Sequence, residues 1–306
     1  MTRRELFQVA AAALAAGENI PASNQPAIRF PTAPRARLAV ASYPFRKFVN
    51  PRTGTLPLID FPKMVSDRFG LSAIEPLDAH FPSTDAAYLE KFRAALHRAK
   101  SRVVNIPVGR LGGSFYDPEP ANRKIAIDSA RQWVDIASAI GSPSIRAHIR
   151  EVKGIAPNAA LASEALRQVA EYGASKNVVI HLENDDPRSE EPFFLVDVIA
   201  KAGTPWLRAL PDFCNSMLLD KGEDYNDKAL TALFHDAYGI SHVKDSEQEG
   251  KKFYQIDLAK VFAIAKRAGY RGYFSMEYDA EGDPYAPTGH LIEQSLKHLS
   301  LASVTK

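Results

Sequence analysis

The chain has 306 residues, 45% hydrophobic and 24% charged, which is enough to bury the core of one α/β barrel domain. Its 38 lysines and arginines against 36 acidic residues give a net charge of +2, so there is no electrostatic case for nucleic acid or a membrane surface as a partner. A small molecule is the favoured partner. The single cysteine, Cys214, excludes an internal disulfide and a thiolate zinc cluster, so a bound metal must be held by oxygen and imidazole.

The amino terminus resembles a twin-arginine export signal. Arg3 and Arg4 precede the mildly apolar run from Val9 to Gly17, which is too short and too weakly apolar to span a membrane. We therefore expect export, with the periplasm as the destination; a basic terminus that stays on a cytoplasmic protein is the alternative. The following residues up to Arg37 are rich in proline, which predicts an extended linker. The predicted division is 1–37 for signal and linker and 38–306 for the barrel.

Eight candidate strands alternate with helical patterns along the rest of the chain. The strands are Leu38–Ser42, Ser72–Glu75, Arg102–Pro107, Ser144–Ile149, Asn177–Glu183, Trp206–Asp212, Gly239–Lys244 and Tyr273–Tyr278. Helical periodicity lies between them, for example over Ala121–Ile140 and Asp257–Ala268. This order predicts a single-domain (β/α)8 TIM barrel. An open doubly wound sheet is the alternative, weakened because no G-x-G-x-x-G follows the first strand.

Alternation along the strands predicts which side chains face the barrel interior. Apolar side chains such as Ile145 and Ala147 should face the helices, which leaves their polar neighbours inside. The residues predicted to point inward are Ser144, Arg146, His148, Val179, His181, Glu183, His242, Lys244, Ser275 and Glu277. Pro211 blurs the pattern on the sixth strand.

Four potential metal ligands each close one of the last four strands. Glu183, Asp212, His242 and Glu277 follow one another at intervals of 29, 30 and 35 residues. The carboxyl ends of parallel barrel strands meet on one face, so these side chains should converge on one metal site. Three carboxylates and one imidazole suit Mn²⁺ or Mg²⁺ and leave positions for substrate oxygens.

This ligand set predicts proton-transfer chemistry on a sugar. The metal would polarise a carbonyl and stabilise an enediolate after the neighbouring C–H proton is removed. Glu183 and Glu277 lie on the fifth and eighth strands, so each could serve one face of the sugar as general acid or base. We therefore expect an isomerase or epimerase that acts on a sugar, polyol or keto-sugar.

Substrate contacts are expected from other polar residues around the mouth. The candidates are Tyr43, Glu75, Arg146, His148, Asn215 and Lys244. Three of these assignments have structural alternatives. Glu75 and Arg146 could form an internal ion pair, and Lys244 could form a salt bridge with a carboxylate of the mouth.

The motifs around these positions resemble the sugar phosphate isomerase/epimerase superfamily, the xylose isomerase-like TIM barrels. They are His181-Leu182-Glu183-Asn184, Leu210-Pro211-Asp212-Phe213-Cys214-Asn215, Ser241-His242-Val243-Lys244-Asp245 and Gly269-Tyr270-Arg271-Gly272-Tyr273-Phe274-Ser275-Met276-Glu277. The resemblance implies that Glu183, Asp212, His242 and Glu277 bind one divalent metal and that the two glutamates exchange protons with the substrate. Asn215 and Asp185 stand where many members have histidine, which leaves the reaction open.

Two other functions fit the same residues. The metal and base would also support a lyase or dehydratase acting on a keto-sugar or an oxidised glycoside, because that reaction begins with the same proton removal. A non-catalytic, metal-containing sugar-binding protein is the alternative of another class. The superfamily's DNA-repair branch is disfavoured by the near-neutral charge. The sequence leaves a homo-oligomer open.

Overall fold

The computed structural model describes residues 25–301, so the predicted export signal lies outside the described residues. Eleven strands are present in this part of the chain: β1 (Leu38–Ala41), β2 (Ala73–Glu75), β3 (Arg102–Val103), β4 (Ile106–Val108), β5 (Ser144–Ala147), β6 (Val179–Glu183), β7 (Leu207–Leu210), β8 (Ile240–Val243), β9 (Ser246–Glu249), β10 (Lys252–Gln255) and β11 (Tyr273–Met276). The helices of at least nine residues are α1 (Phe61–Phe69), α2 (Ala86–Arg98), α3 (Pro120–Ile140), α4 (Ala159–Ser175), α5 (Pro192–Ala202), α6 (Glu223–Asp236), α7 (Leu258–Arg267) and α8 (Tyr285–Leu301). Short helical turns cover Pro34–Arg37, Tyr43–Phe45, Arg46–Val49, Leu58–Asp60, Asp78–His80 and Asn215–Leu219.

The parallel strands close into the predicted eight-stranded barrel. Two parallel sheets have the orders β3-β2-β1-β11-β8 and β4-β5-β6-β7. The two sheets join where β3, at the edge of the first, continues into β4, at the edge of the second. These two short strands are the halves of the predicted third strand, which is interrupted at Val104 and Asn105. At the other junction, isolated parallel bridges pair Ala209 with Ala237 and Asp212 with His242. The last strand, β11, pairs with the first, so the barrel has the topology of the predicted fold.

The helices begin and end where the local sequence directs. Side chains of Asp85, Glu119, Asn158, Glu191 and Asp257 accept hydrogen bonds from the first backbone N–H groups of α2, α3, α4, α5 and α7. Helix α3 ends at Gly141, whose φ of 78° is a conformation that glycine adopts without a Cβ penalty. No helix of the described part is long and apolar enough to cross a membrane.

The core lies between the outer faces of the strands and the helices. Ile145, Ala147 and Ile149 of the fourth barrel strand are fully buried in one apolar cluster with residues such as Val134 of α3 and Leu166 of α4. Fully burying an aliphatic side chain of this size contributes about 1.5–3 kcal/mol. The polar residues between them point into the barrel, as the alternation predicts.

The proline-rich segment up to Arg37 is not a detached linker over its described part. The ring of Phe30 packs edge-on against Tyr238 and Tyr273, with centroid distances of 5.3 and 6.0 Å. The hydroxyl of Tyr238 donates a hydrogen bond of 3.0 Å to the carbonyl of Pro26. Arg37 donates to the backbone carbonyls of Tyr270 and Gly272, both at 3.1 Å. The segment therefore lies against the end of the barrel at which β8 and β11 begin.

An antiparallel hairpin, β9 and β10, follows β8 and was not predicted from the sequence. Its ten residues, SEQEGKKFYQ, are mostly charged or polar, and only Glu247 is buried. The hairpin positions this glutamate at the mouth of the barrel.

Candidate active site

The four predicted metal ligands converge at the carboxyl end of the barrel. Glu183 ends β6, and His242 lies in β8. Asp212 lies two residues after the end of β7, and Glu277 directly follows β11. Each offers one ligand atom within 4.8 Å of the others, and all four side chains are buried. The Nδ1 atom of His242 lies 2.7 Å from Oε1 of Glu183 and 3.1 Å from Oε2 of Glu277.

Asp212 presents one oxygen to this cluster without a hydrogen-bond donor. Its Oδ1 accepts hydrogen bonds of 2.8 Å from the backbone N–H groups of Cys214 and Asn215, which fix the carboxylate. Its Oδ2 is buried, makes no hydrogen bond to a described residue, and lies 3.7 Å from Nζ of Lys244. A buried carboxylate oxygen without a donor is costly, and a bound cation would remove that cost.

His242 is oriented from below by Glu75. The Nε2 atom of His242 lies 3.0 Å from both carboxylate oxygens of Glu75, and Asn105 donates a hydrogen bond of 2.8 Å to Oε1 of Glu75. Because an ionised carboxylate only accepts hydrogen bonds, Glu75 favours a proton on Nε2, and Nδ1 faces the other candidate ligands, where a bound cation would take the place of a second ring proton. A histidine held by a carboxylate in this way has the tautomer needed for metal ligation.

Arg146 holds the Glu183 carboxylate from the side. Its Nε is 2.7 Å from Oε2 of Glu183, and its Nη2 is 2.8 Å from Oδ2 of Asp185. Burial would raise the pKa of Glu183, but His242 and Arg146 hold that pKa well below its usual range. The internal ion pair considered between Glu75 and Arg146 is not formed among the described residues.

Lys244 is a buried cation among the acidic groups of the mouth. Its Nζ donates to Oδ1 of Asn215 at 2.8 Å and lies 3.1 Å from Glu247 and 3.5 Å from Glu277. Burial alone would lower the pKa of Lys244, but the carboxylates of Asp212 and Glu277 raise it well above its usual value. The salt bridge considered for this lysine is therefore present, and its side chain also borders the cavity.

Burial prevails in the pKa shifts of Asp212 and Glu277, and neighbouring carboxylates prevail in that of His242. Burial raises the pKa of Asp212 and of Glu277, although Lys244 and His242 act in the opposite direction. For His242, burial would lower the pKa, but the carboxylates of Glu183, Glu277 and Glu75 raise it well above the usual value. The cluster thus carries more acidic groups than its buried cations neutralise.

A cavity of about 280 Å³ opens above the four ligands. It is lined by Tyr43, Leu77, Pro107, Gly109, Arg146, His148, Glu183, Asp185, Asn215, Leu218, Lys244, Glu247, Glu277 and Asp279. A larger space of about 450 Å³ between α7 and α8 has no carboxylate in its lining, so it does not offer this ligand chemistry.

Five of the six predicted substrate contacts border the cavity. Glu75 does not, because it lies fully buried beneath the ligands and its oxygens are occupied by His242 and Asn105. Its position indicates that it supports His242 instead of touching a substrate.

Three acidic residues of the mouth were missed in the sequence. Asp279 lies two residues beyond Glu277 on the same face of the chain, and this spacing could have identified it. Its Oδ2 accepts a hydrogen bond of 3.2 Å from the Tyr43 hydroxyl, and its Oδ1 lies 2.9 Å from Nη2 of Arg46. Glu247 belongs to the unpredicted hairpin. Glu190 lies in a polar loop whose sequence gives no sign that its side chain is fully buried.

Comparison with known proteins agrees with the barrel fold. The sequence family described as xylose isomerase-like TIM barrel matches residues 65–301. A search of curated protein sequences returned no match.

Solved structures share the fold at low sequence identity. A xylose isomerase-like TIM barrel protein from Mycobacterium smegmatis, in complex with magnesium, superposes with a TM-score of 0.70 at 17% identity, covering 88% of this chain and 98% of that one. D-allulose 3-epimerase from Methylomonas sp., in complex with D-allulose, superposes with a TM-score of 0.67 at 16% identity, covering 90% of this chain and 99% of that one. The 3-keto-D-glucoside 4-epimerase from E. coli superposes with a TM-score of 0.64 at 15% identity, covering 85% of this chain and 99% of that one.

The family match spans most of the barrel, from α1 to the last helix, and includes all four converging ligands. The chain therefore belongs to the xylose isomerase-like TIM barrel family.

Proposed function

We propose that this protein is a divalent-metal-dependent isomerase or epimerase that moves a proton on the carbon next to a carbonyl of a sugar, polyol or keto-sugar. The observation that carries the proposal is the convergence of Glu183, Asp212, His242 and Glu277 within 4.8 Å beneath a polar cavity. Sugar epimerases with the same fold support the reaction class.

The residues fit a single hard cation. Three carboxylates and one imidazole are the donors that Mn²⁺ and Mg²⁺ accept, and the free Oδ2 of Asp212 is ready to act as a ligand. Glu75 holds His242 with Nδ1 toward the other donors. When bound, the ion would act as a Lewis acid that polarises the carbonyl and makes the adjacent C–H proton more acidic. The magnesium complex of a protein with this fold supports the assignment.

The contacts of the two glutamates suggest different parts in proton transfer. Both oxygens of Glu183 are engaged, one with His242 and one with Arg146. For Glu277, Oε2 alone has partners among residues 25–301, and the carboxylate borders the cavity. Glu277 therefore has a free oxygen that can take the proton from the substrate carbon, and Glu183 is positioned to exchange a proton from the other side.

The remaining wall of the cavity suits a polyhydroxylated ligand. Lys244 and the Tyr43 hydroxyl can donate to sugar oxygens, and Nδ2 of Asn215 is buried without a hydrogen-bond partner among the described residues. A sugar hydroxyl would satisfy that amide. The volume of about 280 Å³ lies at the small end of ligand pockets, which suits one sugar ring.

Exchange with solvent deuterium tests the proposal. The Mn²⁺-loaded protein is incubated in D₂O with D-allulose, other ketoses, and methyl and 4-nitrophenyl 3-keto-glucosides, and NMR follows deuterium at the carbon beside each carbonyl. Exchange with at least one compound is expected. Lack of exchange with the whole panel would refute the enzymatic proposal in favour of a sugar-binding protein.

We also propose that the chain is exported to the periplasm. The Arg3-Arg4 pair and the alanine-rich run after it support this proposal. Export would separate the protein from cytoplasmic sugar phosphates, which agrees with neutral sugars as substrates.

A further inference from the structure

A second group of titratable residues borders the cavity apart from the metal ligands. His148 follows β5 and places Nδ1 2.8 Å from Oε2 of Glu190 and 3.7 Å from Oδ2 of Asp185. The Nδ1 contact is an ion pair and is not aligned as a regular hydrogen bond. Glu190 is fully buried and is held by the backbone N–H groups of Ile149 at 2.6 Å and Asp186 at 3.2 Å. The carboxylate is therefore rigid and fixes one edge of the imidazole.

The other edge of the imidazole is available to a ligand. Nε2 of His148 makes no hydrogen bond or ion pair with a described residue, and His148 lines the cavity with part of its side chain exposed. Its position follows from the barrel: β5 is the fourth barrel strand and β11 the eighth, so His148 lies across the mouth from Glu277. A substrate whose reacting carbon is next to Glu277 could direct the oxygen substituent of the neighbouring carbon toward His148.

The charges around His148 favour the protonated form. Burial would lower the pKa of His148, but the Glu190 carboxylate raises it above the usual value, with Asp185 acting in the same direction and Arg146 against it. A protonated imidazole at the wall of a cavity is a general acid.

We propose that His148, oriented by Glu190, protonates a leaving oxygen of the substrate, so that the site also catalyses elimination from a keto-glycoside or related β-oxygenated keto-sugar. This inference rests on the proposed function, because the elimination begins with the same proton removal. A carboxylate of the site takes the proton next to the carbonyl, and the C–H electron pair forms a C=C bond. The C–O bond on the following carbon breaks, its electrons pass to the oxygen, and the Nε2 proton of His148 completes the released alcohol or water. No oxidant or reductant is required.

The dependence of the elimination rate on the leaving group distinguishes a proton donor from a residue with only a structural role. Methoxide is a poor leaving group that needs protonation, whereas 4-nitrophenolate leaves without it. The Mn²⁺-loaded wild type, His148→Gln, Glu190→Gln and the surface control His97→Gln are assayed with methyl and 4-nitrophenyl 3-keto-β-D-glucopyranoside. Deuterium exchange beside the carbonyl is measured in the same samples.

For His148→Gln we expect the loss of methanol release to exceed the loss of 4-nitrophenol release by about 100-fold or more, while deuterium exchange falls only as far as 4-nitrophenol release, because removal of a cavity contact weakens binding of both substrates alike. In Glu190→Gln, loss of the negative charge lowers the pKa of His148. The alkaline fall in methanol release should therefore begin at a lower pH, while 4-nitrophenol release keeps its profile.

Three outcomes overturn the inference. Equal losses for the two leaving groups in His148→Gln would show that the residue is not the acid. Deuterium exchange in the wild type without release of either alcohol would refute the elimination and leave the proposed proton transfer standing. Absence of exchange from the wild type would refute both.

Discussion

Glu75 lies directly beneath His242, with both of its carboxylate oxygens 3.0 Å from Nε2 of the histidine. The two residues come from opposite ends of the chain and meet because β1, which pairs with β2, also pairs with β11 beside β8. This contact turns Nδ1 toward the carboxylates at the mouth. We therefore expect metal binding at this site to depend on a residue that would not itself touch the metal.

Replacing Glu75 by Gln should weaken metal binding. The amide removes the negative acceptor that holds the proton on Nε2, and loss of such a partner typically lowers metal affinity 10- to 100-fold. Isothermal titration with Mn²⁺ measures the effect, with the exposed Glu164→Gln as the matched control. An affinity equal to that of the control would contradict the role assigned to Glu75.

Gly239 should be essential for the barrel interior. A Cβ at this position would lie 2.5 Å from the ring of His181, and the Gly239 N–H donates to Nε2 of the same ring. Gly239→Ala should therefore lower the free energy of unfolding by about 1–3 kcal/mol, measured by urea denaturation. Gly289→Ala is the control, because a Cβ there meets nothing within 4 Å and should be neutral or slightly stabilising. Equal stability of the two variants would refute the steric argument.

Removal of Lys244 should make the metal-free protein less stable and should increase the rise in Tm that Mn²⁺ produces. Lys244→Met leaves the buried carboxylates around Nζ without their cation, which typically costs about 3–5 kcal/mol. Bound Mn²⁺ would supply positive charge in its place. Thermal unfolding in EDTA and in Mn²⁺ should show a larger metal-induced rise in Tm for this variant than for wild type or the surface control Lys228→Met. A smaller rise than in wild type would contradict the electrostatic account.

His80 should contribute to acid sensitivity. Burial, with Arg110 and Arg46, lowers the pKa of His80 to about 4, below its ordinary value of 6.5. The unfolded chain therefore binds a proton between these pH values while the folded chain does not, so stability falls as pH decreases through this window. At about 1.36 kcal/mol per pKa unit, the loss is roughly 3 kcal/mol. The free energy of unfolding, measured with urea at pH 4 to 7, should fall less steeply with decreasing pH for His80→Gln than for wild type or the exposed control His97→Gln. Equal pH dependence in the three proteins would contradict the role assigned to His80.

Replacement of the arginine pair tests the proposed export. Arg3→Lys with Arg4→Lys keeps the charge but removes the guanidinium pair, so the protein should be retained in the cytoplasm. Cell fractionation and immunoblotting measure the distribution, with Arg29→Lys as a matched control. Unchanged periplasmic recovery, or absence of the wild type from the periplasm, would count against a twin-arginine signal.

The barrel and the convergence of its four candidate ligands were predictable because each depends on local pattern and strand order. Alternation in the segment from Ser144 to Ile149 separates inward from outward side chains, and a parallel barrel brings the strand ends to one face. Arg146, His148 and Lys244 accordingly border the cavity.

The remaining features depend on tertiary contacts that no local pattern records. The β9–β10 hairpin is charged, and its Glu247 is buried 3.1 Å from Nζ of Lys244, a contact with a residue outside the hairpin. The Glu190 carboxylate is held by backbone N–H groups of two different loops, and Phe30 packs on tyrosines more than 200 residues away. Glu75 was predicted at the mouth, but its strand ends one layer lower, where it meets His242.

Metal-dependent deuterium exchange tests whether a bound divalent cation and Glu277 together bring about the proton transfer. Mn²⁺ is titrated into EDTA-treated protein in D₂O with a substrate that shows exchange, and the rate of deuterium incorporation is followed for wild type, Glu277→Gln and Glu164→Gln. We expect negligible exchange without metal, saturation near one equivalent in wild type and Glu164→Gln, and at least a 100-fold lower rate for Glu277→Gln at saturating Mn²⁺. Exchange at the wild-type rate in EDTA, or in Glu277→Gln, would contradict the account.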